Sequence, residues 1–308
     1  MGSRTNRVLG ARPVFPPRVV VSVKALACEL PAQQGVPLSR FSTRELARVV
    51  VERGITASIS GATVWRWLDR EAIRPWFHRS WIFPRDPDFA EKAGRVLDLY
   101  HGEWEGHTLG PDDYVLSADE KTSVQARARI HPTAAPGRAR LMRVEHTYVR
   151  AGALVYLAAW DVRYAKLIGR CEPKSGIMPF DALVAQVMTA APYATARRVF
   201  WIVDNGSSHR GLRAVHRLTQ RWPNLVLVHL PIHASWLNQI EIFFSILERK
   251  LLRPNAFESL LELEANIISF EERYQASAKP FEWKYTRHDL ARLLTRLASD
   301  SGRQAVSA

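Results

Sequence analysis

The sequence predicts a mixed α/β sheet with helices packed on its faces, preceded by a small all-α unit. Three observations predict it. Apolar runs of strand length, at Tyr114–Ala118, Val144–Val149, Leu154–Trp160, Val199–Val203 and Leu225–Leu230, are interspersed with helix-length amphipathic stretches. The first third holds two short segments with helical periodicity and capping signals. The composition, 47% apolar and 24% charged over 308 residues, is that of a globular chain with one large or two modest domains.

Residues 1–40 are Pro-rich and read as an irregular N-terminal segment, with one apolar stretch from Val19 to Leu30. Ser42-Thr-Arg-Glu45 is a capping box, in which the Ser hydroxyl accepts an early backbone N–H and the Glu reaches back. Leu46, Val49, Val50 and Arg53 follow at helical spacing, and Gly54 stops the helix. Ser60 caps a second helix through Arg70, with Val64, Trp65 and Leu68 on one face and Arg66 and Arg70 off it. Two short helices, the second basic, point to a helix-turn-helix over 41–74, its second helix suited to a major groove. An ordinary helical hairpin is the alternative. Residues 75–110 read as a linker followed by a helix from Phe89 to Tyr100. Residues 111–276 hold the sheet, with Val144–Val149 and Leu154–Trp160 joined by a turn at Arg150–Gly152. Its helices are predicted at Phe180–Ala190, Gly211–Arg221, Ser235–Leu252 and Phe257–Tyr274, and residues 277–308 form a tail with one helix.

Lys and Arg number 43 against 30 Asp and Glu, and the net charge of +13 points to a polyanionic partner. Residues 1–100 carry 16 basic and 9 acidic side chains, so the first third is the more basic by density. The longest apolar run, Ala153–Trp160, is far short of the ~18 residues a membrane span needs, so no membrane partner is expected. Cys28 and Cys171 lack CxxC spacing, which argues against a zinc module or disulfide framework and suits a cytoplasmic protein. No acidic residue lies between Glu120 and Glu145, yet Lys121, Arg127, Arg129, Arg138, Arg140 and Arg143 do. Pro132, Pro136 and Gly137 mark a loop among them. It reads as a basic loop tracking DNA phosphates, or else as a solvated loop.

Three carboxylates occupy unusual positions. Asp119 ends the first strand run and Asp204 the fourth, which places both at the edge of the sheet where α/β proteins build their sites. Glu241 lies on a helix whose core stripe is Leu237, Ile240, Phe244, Leu247 and Leu251. It sits beside that stripe with Asn238 and Ser245, so it can face the sheet edge. Together the three could hold two divalent cations, Mg²⁺ or Mn²⁺, for in-line phosphoryl transfer. Singly, a strand-end Asp is a common turn former, and Glu241 is an ordinary surface residue. His209 is either an accessory group at a phosphate or metal-bound water, or a helix-start histidine. His229 and His233 are separated by Pro231 and make no helical zinc face. Glu120 alternates to the face opposite Asp119.

The segments Ala118-Asp-Glu-Lys-Thr, Val203-Asp-Asn-Gly-Ser-Ser-His and His233-Ala-Ser-Trp-Leu-Asn-Gln-Ile-Glu resemble signature blocks of bacterial insertion-sequence transposases of the mariner-like superfamily, in the insertion-sequence six-thirty branch. The blocks Trp81–Phe89 and Pro280–Thr286 resemble that branch's flanking segments, and the likeness spans residues 42–298. It implies a ribonuclease-H-like catalytic fold over 111–276 and a DDE triad on Asp119, Asp204 and Glu241, the last two 37 residues apart. It further implies two Mg²⁺ or Mn²⁺ ions, strand cleavage and transfer at the ends of an insertion sequence, double-stranded DNA as partner, and a homodimer on DNA. Arg66, Arg70, Lys121, Arg127, Arg129, Arg138, Arg140 and Arg143 are the DNA-binding candidates, with His209 and Asn238 as accessory groups. Such proteins carry a further helix-turn-helix that residues 1–40 look too short to hold, so this segment reads as the remnant of a truncated one. A catalytically inactive DNA-binding protein derived from a transposase, or a stand-alone nuclease, are the alternatives.

Overall fold

The computed structural model describes residues 15–78 and 84–306, arranged as two compact units, Met1–Ile82 and Phe83–Ala308. The first fourteen residues and the start of the Trp81–Phe89 block lie outside the described residues.

The first unit packs three helices, α1 (Pro17–Ala27), α2 (Thr43–Glu52) and α3 (Gly61–Asp69). The segment expected to be irregular therefore contains a helix. Pro is tolerated in the first helical turn because its missing N–H would have no partner there. Val19, Val23 and Leu26 then recur at helical spacing and are buried with Phe41, Leu46, Val50, Val64 and Leu68. The capping box forms as its residues require: Ser42 Oγ accepts from the Glu45 N–H at 3.2 Å, and Glu45 Oε2 from the Ser42 N–H at 2.8 Å. Gly54 ends α2 at φ +66°, and Ser60 caps α3. Trp65 does not share the buried face of Val64 and Leu68; it is 48% exposed, being a further 100° round the helix from Val64. Trp67 turns inward instead and meets Phe15 edge to face at 5.1 Å.

In the second unit, α4 (Phe89–Tyr100) leads through a small hairpin, β1 (Glu103–Trp104) and β2 (His107–Thr108), into a five-stranded sheet. Its strands are β3 (Asp113–Ala128), β4 (Val149–Asp161), β5 (Leu167–Glu172), β6 (Arg198–Val203) and β7 (Leu225–His229), in the order β5-β4-β3-β6-β7. The first three are antiparallel neighbours; β6 runs parallel to β3, and β7 to β6.

Three strand expectations change. First, β3 does not stop at Ala118 but runs to Ala128, because Val124 and Ala126 alternate inward while Thr122 and Ser123 point to solvent. That polar half pairs with β4 across register shifts at Lys121/Val124 and Gln125/Arg127. Second, 144–148 is not a strand, and 150–152 is no turn but the start of β4, where Gly152 takes φ +107°. Third, β5 carries Arg170 and Glu172 and is only half-buried, so its sequence lacks an apolar run.

Helices cover both faces: α5 (Ile177–Met188), α6 (Leu212–Arg221), α7 (Ile240–Leu247), α8 (Leu260–Gln275) and α9 (Arg287–Val306). Phe243, Phe244, Leu247, Leu263 and Leu290 join Val115, Tyr156 and Phe200 in one core; Leu183, Val187 and Leu218 join Leu116, Trp201 and Val203 in the other. Ser235 does not cap the helix expected to begin there. A 3₁₀ turn, Ser235–Leu237, precedes an extended Asn238; α7 starts at Ile240 and continues into a π-helical turn, Glu248–Leu252. Among the described residues, no helix is long and apolar enough to cross a membrane.

Candidate active site

Parallel pairing decides where the first two carboxylates stand. The β3–β6 ladder ends at Ser117 opposite Ile202. Two residues further on, the strands reach Asp119 and Asp204 at the same level. Side chains two apart share a face, so both follow Ser117 and Ile202 toward α7. Asp119 is therefore not at the end of a strand, as its apolar prefix suggested, but at the end of the parallel ladder within one.

The third carboxylate arrives through a hydrogen-bonded junction. Asn238 is buried; its amide donates to the Ala118 carbonyl at 3.2 Å and to Asp119 Oδ2 at 3.0 Å, while its Oδ1 accepts a short bond from Ser117 Oγ. Ser117 Oγ in turn accepts from the Ile240 N–H at 2.9 Å. The first turn of α7 is thus fixed to β3, and exposed Glu241 sits in that turn. Tyr100 secures the same junction from α4, donating to the Leu237 carbonyl at 2.6 Å and accepting from the Gln239 N–H at 3.3 Å.

Electrostatics tie the three together. Burial pushes the Asp119 carboxyl up to about 7, reinforced by repulsion from Asp204 and Glu241 and opposed by its bonds from the Glu120 N–H, at 2.7 Å, and Asn238. The hydrogen bond from His209 holds Asp204 below the usual carboxylate range. Partial desolvation raises Glu241, with Lys121 pulling it down and Asp204 pushing it up.

His209 is not a helix-start residue. It is buried in the turn after β6, with Nε2 at 2.7 Å from Asp204 Oδ1 and Nδ1 at 2.9 Å from Ser208 Oγ. His229 Nε2 reaches its carbonyl at 2.9 Å, and Phe180 packs on its ring at 4.7 Å. The Gly206 N–H donates to the same Asp204 oxygen at 2.8 Å. A Cβ on Gly206 would stand 3.0 Å from both Asp204 Oδ1 and His209 Cε1, so a larger residue here would push on the Asp204–His209 pair. Glu120, expected to stand apart, is raised by burial and senses both His209 and Asp204. Ser117, Tyr100 and Gly206 were not singled out by sequence; the periodicity around them gives no sign of contacts so distant in the chain.

The basic residues divide into bound and free. Lys121 pairs with Glu248 at 3.0 Å. Arg127 lies at the end of β3 and Arg129 just after it, and both stack over Tyr148 at 4.8 and 5.1 Å. Arg129 is also bound by the Asn255 and His146 carbonyls, each at 3.0 Å, and so holds the hairpin in shape. Arg138, Arg140 and Arg143 are exposed on a small finger bridged at Ala134/Arg143 and Gly137/Arg140. In the first unit, Arg66 and Arg70 are exposed on or just after α3.

Among the described residues, no three His, Cys, Asp or Glu side chains stand close enough together to chelate an ion. The donor chemistry still fits a hard cation: three carboxylates, one desolvated and crowded by the other two.

Residues 114–264 match the family model of the DDE superfamily endonucleases. The matched segment lies within the second unit. It spans all three carboxylates. No curated protein matches the chain. Solved structures of Mos1 transposase share the fold. The Mos1 mariner paired-end complex with Mn aligns at TM-score 0.53 and 15% identity over 94% of this chain and 81% of that one. The complex with Mg gives 0.53 and 14% over 95% and 82%. The Mos1 strand transfer complex gives 0.52 and 13% over 95% and 81%. The mixed sheet with flanking helices is thus the ribonuclease-H-like fold of that transposase.

Proposed function

We propose that the chain is a DNA transposase, which cuts and rejoins strands at the ends of an insertion sequence by divalent-metal-dependent phosphoryl transfer. One observation carries the reading: two parallel strands bring Asp119 and Asp204 to one level, a helix start fixed to the first strand brings Glu241, and Asp119 senses both other charges. The endonuclease match and the likeness to Mos1 complexes titled as paired-end, strand-transfer, Mn and Mg states support it.

Asp119, Asp204 and Glu241 would hold Mg²⁺ or Mn²⁺, two ions by the chemistry of this class. Such ions activate a water or 3′-hydroxyl and neutralise charge at the phosphate. The chain's own groups orient the ligands. Asn238 and the Glu120 N–H aim Asp119; His209 and the Gly206 N–H occupy Oδ1 of Asp204 and leave its Oδ2 for other ligands. Arg138, Arg140 and Arg143 neutralise phosphates beside the site. Arg66 and Arg70 serve α3 as a recognition helix. The signature blocks support reading the chain as a mariner-like insertion-sequence transposase of the six-thirty branch, working in the bacterial cytoplasm. Joining two element ends calls for a homodimer on double-stranded DNA.

Asp204→Asn tests the assignment. The amide keeps the shape but not the charge, so nicking of DNA carrying the element's ends should disappear in Mg²⁺ and Mn²⁺ while gel-shift affinity survives. Wild type that binds those ends and never cuts would establish the inactive DNA-binding protein instead. Cutting by Asp204→Asn at the wild-type rate would remove Asp204 from the site.

A further inference from the structure

From Asn205 to Ile240 the chain carries no acidic residue, but four arginines, Arg210, Arg213, Arg217 and Arg221. This run includes the loop leaving Asp204 and all of α6. Ala214 and Leu218 of α6 face the core. Arg213, His216 and Arg221 are exposed, as is Arg210 just ahead of the helix.

Arg217 is committed to the fold. It pairs with Asp181 at 2.9 Å and donates to the Ser208 carbonyl at 2.7 Å, which ties α6 to the His209 turn. Among the described residues, no carboxylate pairs with Arg210, Arg213 or Arg221. These three guanidinium groups stand exposed without a carboxylate to neutralise them, a local excess of positive charge that suits a polyanion. The opposite layer differs: α8 carries four glutamates and one arginine.

Topology fixes where this face lies. The carboxylates stand at the boundary of β3 and β6. The basic finger joins β3 to β4; α6 connects β6 to the edge strand β7 on the sheet face of Trp201 and Val203, opposite the one that carries Ile202, and runs back from the Asp204 end, so Arg210 lies nearest the carboxylates and Arg221 farthest. We infer that the exposed face of α6, with Arg210, Arg213 and Arg221, is a second docking surface for the backbone of duplex DNA. The inference rests on the function proposed above and extends it to a DNA path. Guanidinium groups suit phosphate through paired N–H donors. Among the described residues of α6 and its C-terminal flank, the large aromatic, Trp222, is half-buried and lies 5.2 Å under Arg221, which leaves the small His216 ring as the exposed one. That favours a duplex over a single strand, whose binding needs open aromatic faces.

The test is a salt series of binding by the full chain to a linear duplex of arbitrary sequence. Each phosphate contact contributes about 0.9 to the slope of log K against log salt, so Arg213→Ala/Arg221→Ala should flatten that slope by about 1.8. The double lysine variant should retain it. Both positions are exposed, and an unchanged melting temperature confirms that the alanine variant is folded. A slope and affinity equal to wild type would overturn the inference. So would a wild-type affinity that ignores salt, or a loss confined to single-stranded DNA. The measurement needs no cutting, so a protein that never nicks refutes the transposase reading while leaving the α6 result legible.

Discussion

Asn238 joins the strand, the helix start and a carboxylate at one point. Removing its amide leaves Ser117 Oγ without an acceptor and Asp119 Oδ2 without its donor, in a buried setting. Buried polar groups stripped of partners cost about 1–3 kcal/mol. Asn238→Ala should lower stability by that amount and cut nicking more than DNA affinity, since no DNA-facing arginine is touched. Calorimetry with a paired nicking and gel-shift assay checks both; equal losses of binding and cutting would make the residue merely structural. Asp119 and Asp204 stood out as Asp after largely apolar runs, and Glu241 by its place beside the apolar stripe of a helix. Asn238 was legible only as a neighbour of Glu241 on a helix, and that placement was wrong in detail: it precedes the helix, in extended conformation, and acts through the strand. His209 was offered as one of two readings, and its burial against Asp204 separates them. Nothing in the sequence distinguishes Gly206 from any other turn glycine; its close approach to the imidazole and to Asp204 arises only in the folded turn.

At the scale of elements, the catalytic helix depends on how it begins. No side chain caps α7, and its first backbone groups are satisfied from elsewhere: Ser117 takes the Ile240 N–H and Tyr100 the Gln239 N–H. Helix starts without such partners are unfavourable when buried. Tyr100→Phe keeps the ring against Trp283, at 5.1 Å, but deletes the hydroxyl, leaving the Leu237 carbonyl and Gln239 N–H unpaired. We expect a loss of about 1–3 kcal/mol, read as a melting temperature lower by roughly 2–4 °C per kcal/mol for a unit of this size. A melting temperature equal to wild type would show that α7 is held by its apolar face alone. Elements with a clear period were legible. The capping box of α2, the helix Phe89–Tyr100 and the apolar strand β6 appear nearly as read. Elements whose burial is one-sided or interrupted were not. The outer half of β3 alternates around polar side chains, β5 is a half-buried edge, and α1 is flanked by prolines that suggest irregular chain.

For the second unit as a whole, buried ion pairs link segments far apart in sequence, and they give stability a pH dependence. Asp113 on β3 is 1% exposed at its side chain and pairs with Arg198 of β6 through two bonds of 2.9 Å. The guanidinium holds the Asp113 carboxyl below its ordinary range, against the effect of burial. Asp86 is raised by burial but lowered more by the Ile232 N–H and Lys92, so it too titrates below its ordinary value. The sign follows from linkage. A carboxylate whose pKa is lower folded than unfolded contributes stability that is full above the unfolded value, near 4, and is lost as pH falls through the folded one. The contribution of these two pairs should therefore hold steady from neutral pH down to about 5 and fall below it, whereas Asp119, raised to about 7, works the other way and adds stability as pH falls from 7 toward 4. Asp113→Asn removes the charge but keeps the shape. Hydrogen bonds to a charged partner contribute about 1.5–3 kcal/mol, and Arg198 is 28% exposed, so the lower end applies at pH 7. The variant and wild type should then converge on acidification, because protonation removes from wild type the same attraction that the substitution deletes. Denaturant midpoints measured at pH 7 and pH 3 decide it: a gap that stays constant between the two would mean that Asp113 contributes through packing and not through its charge.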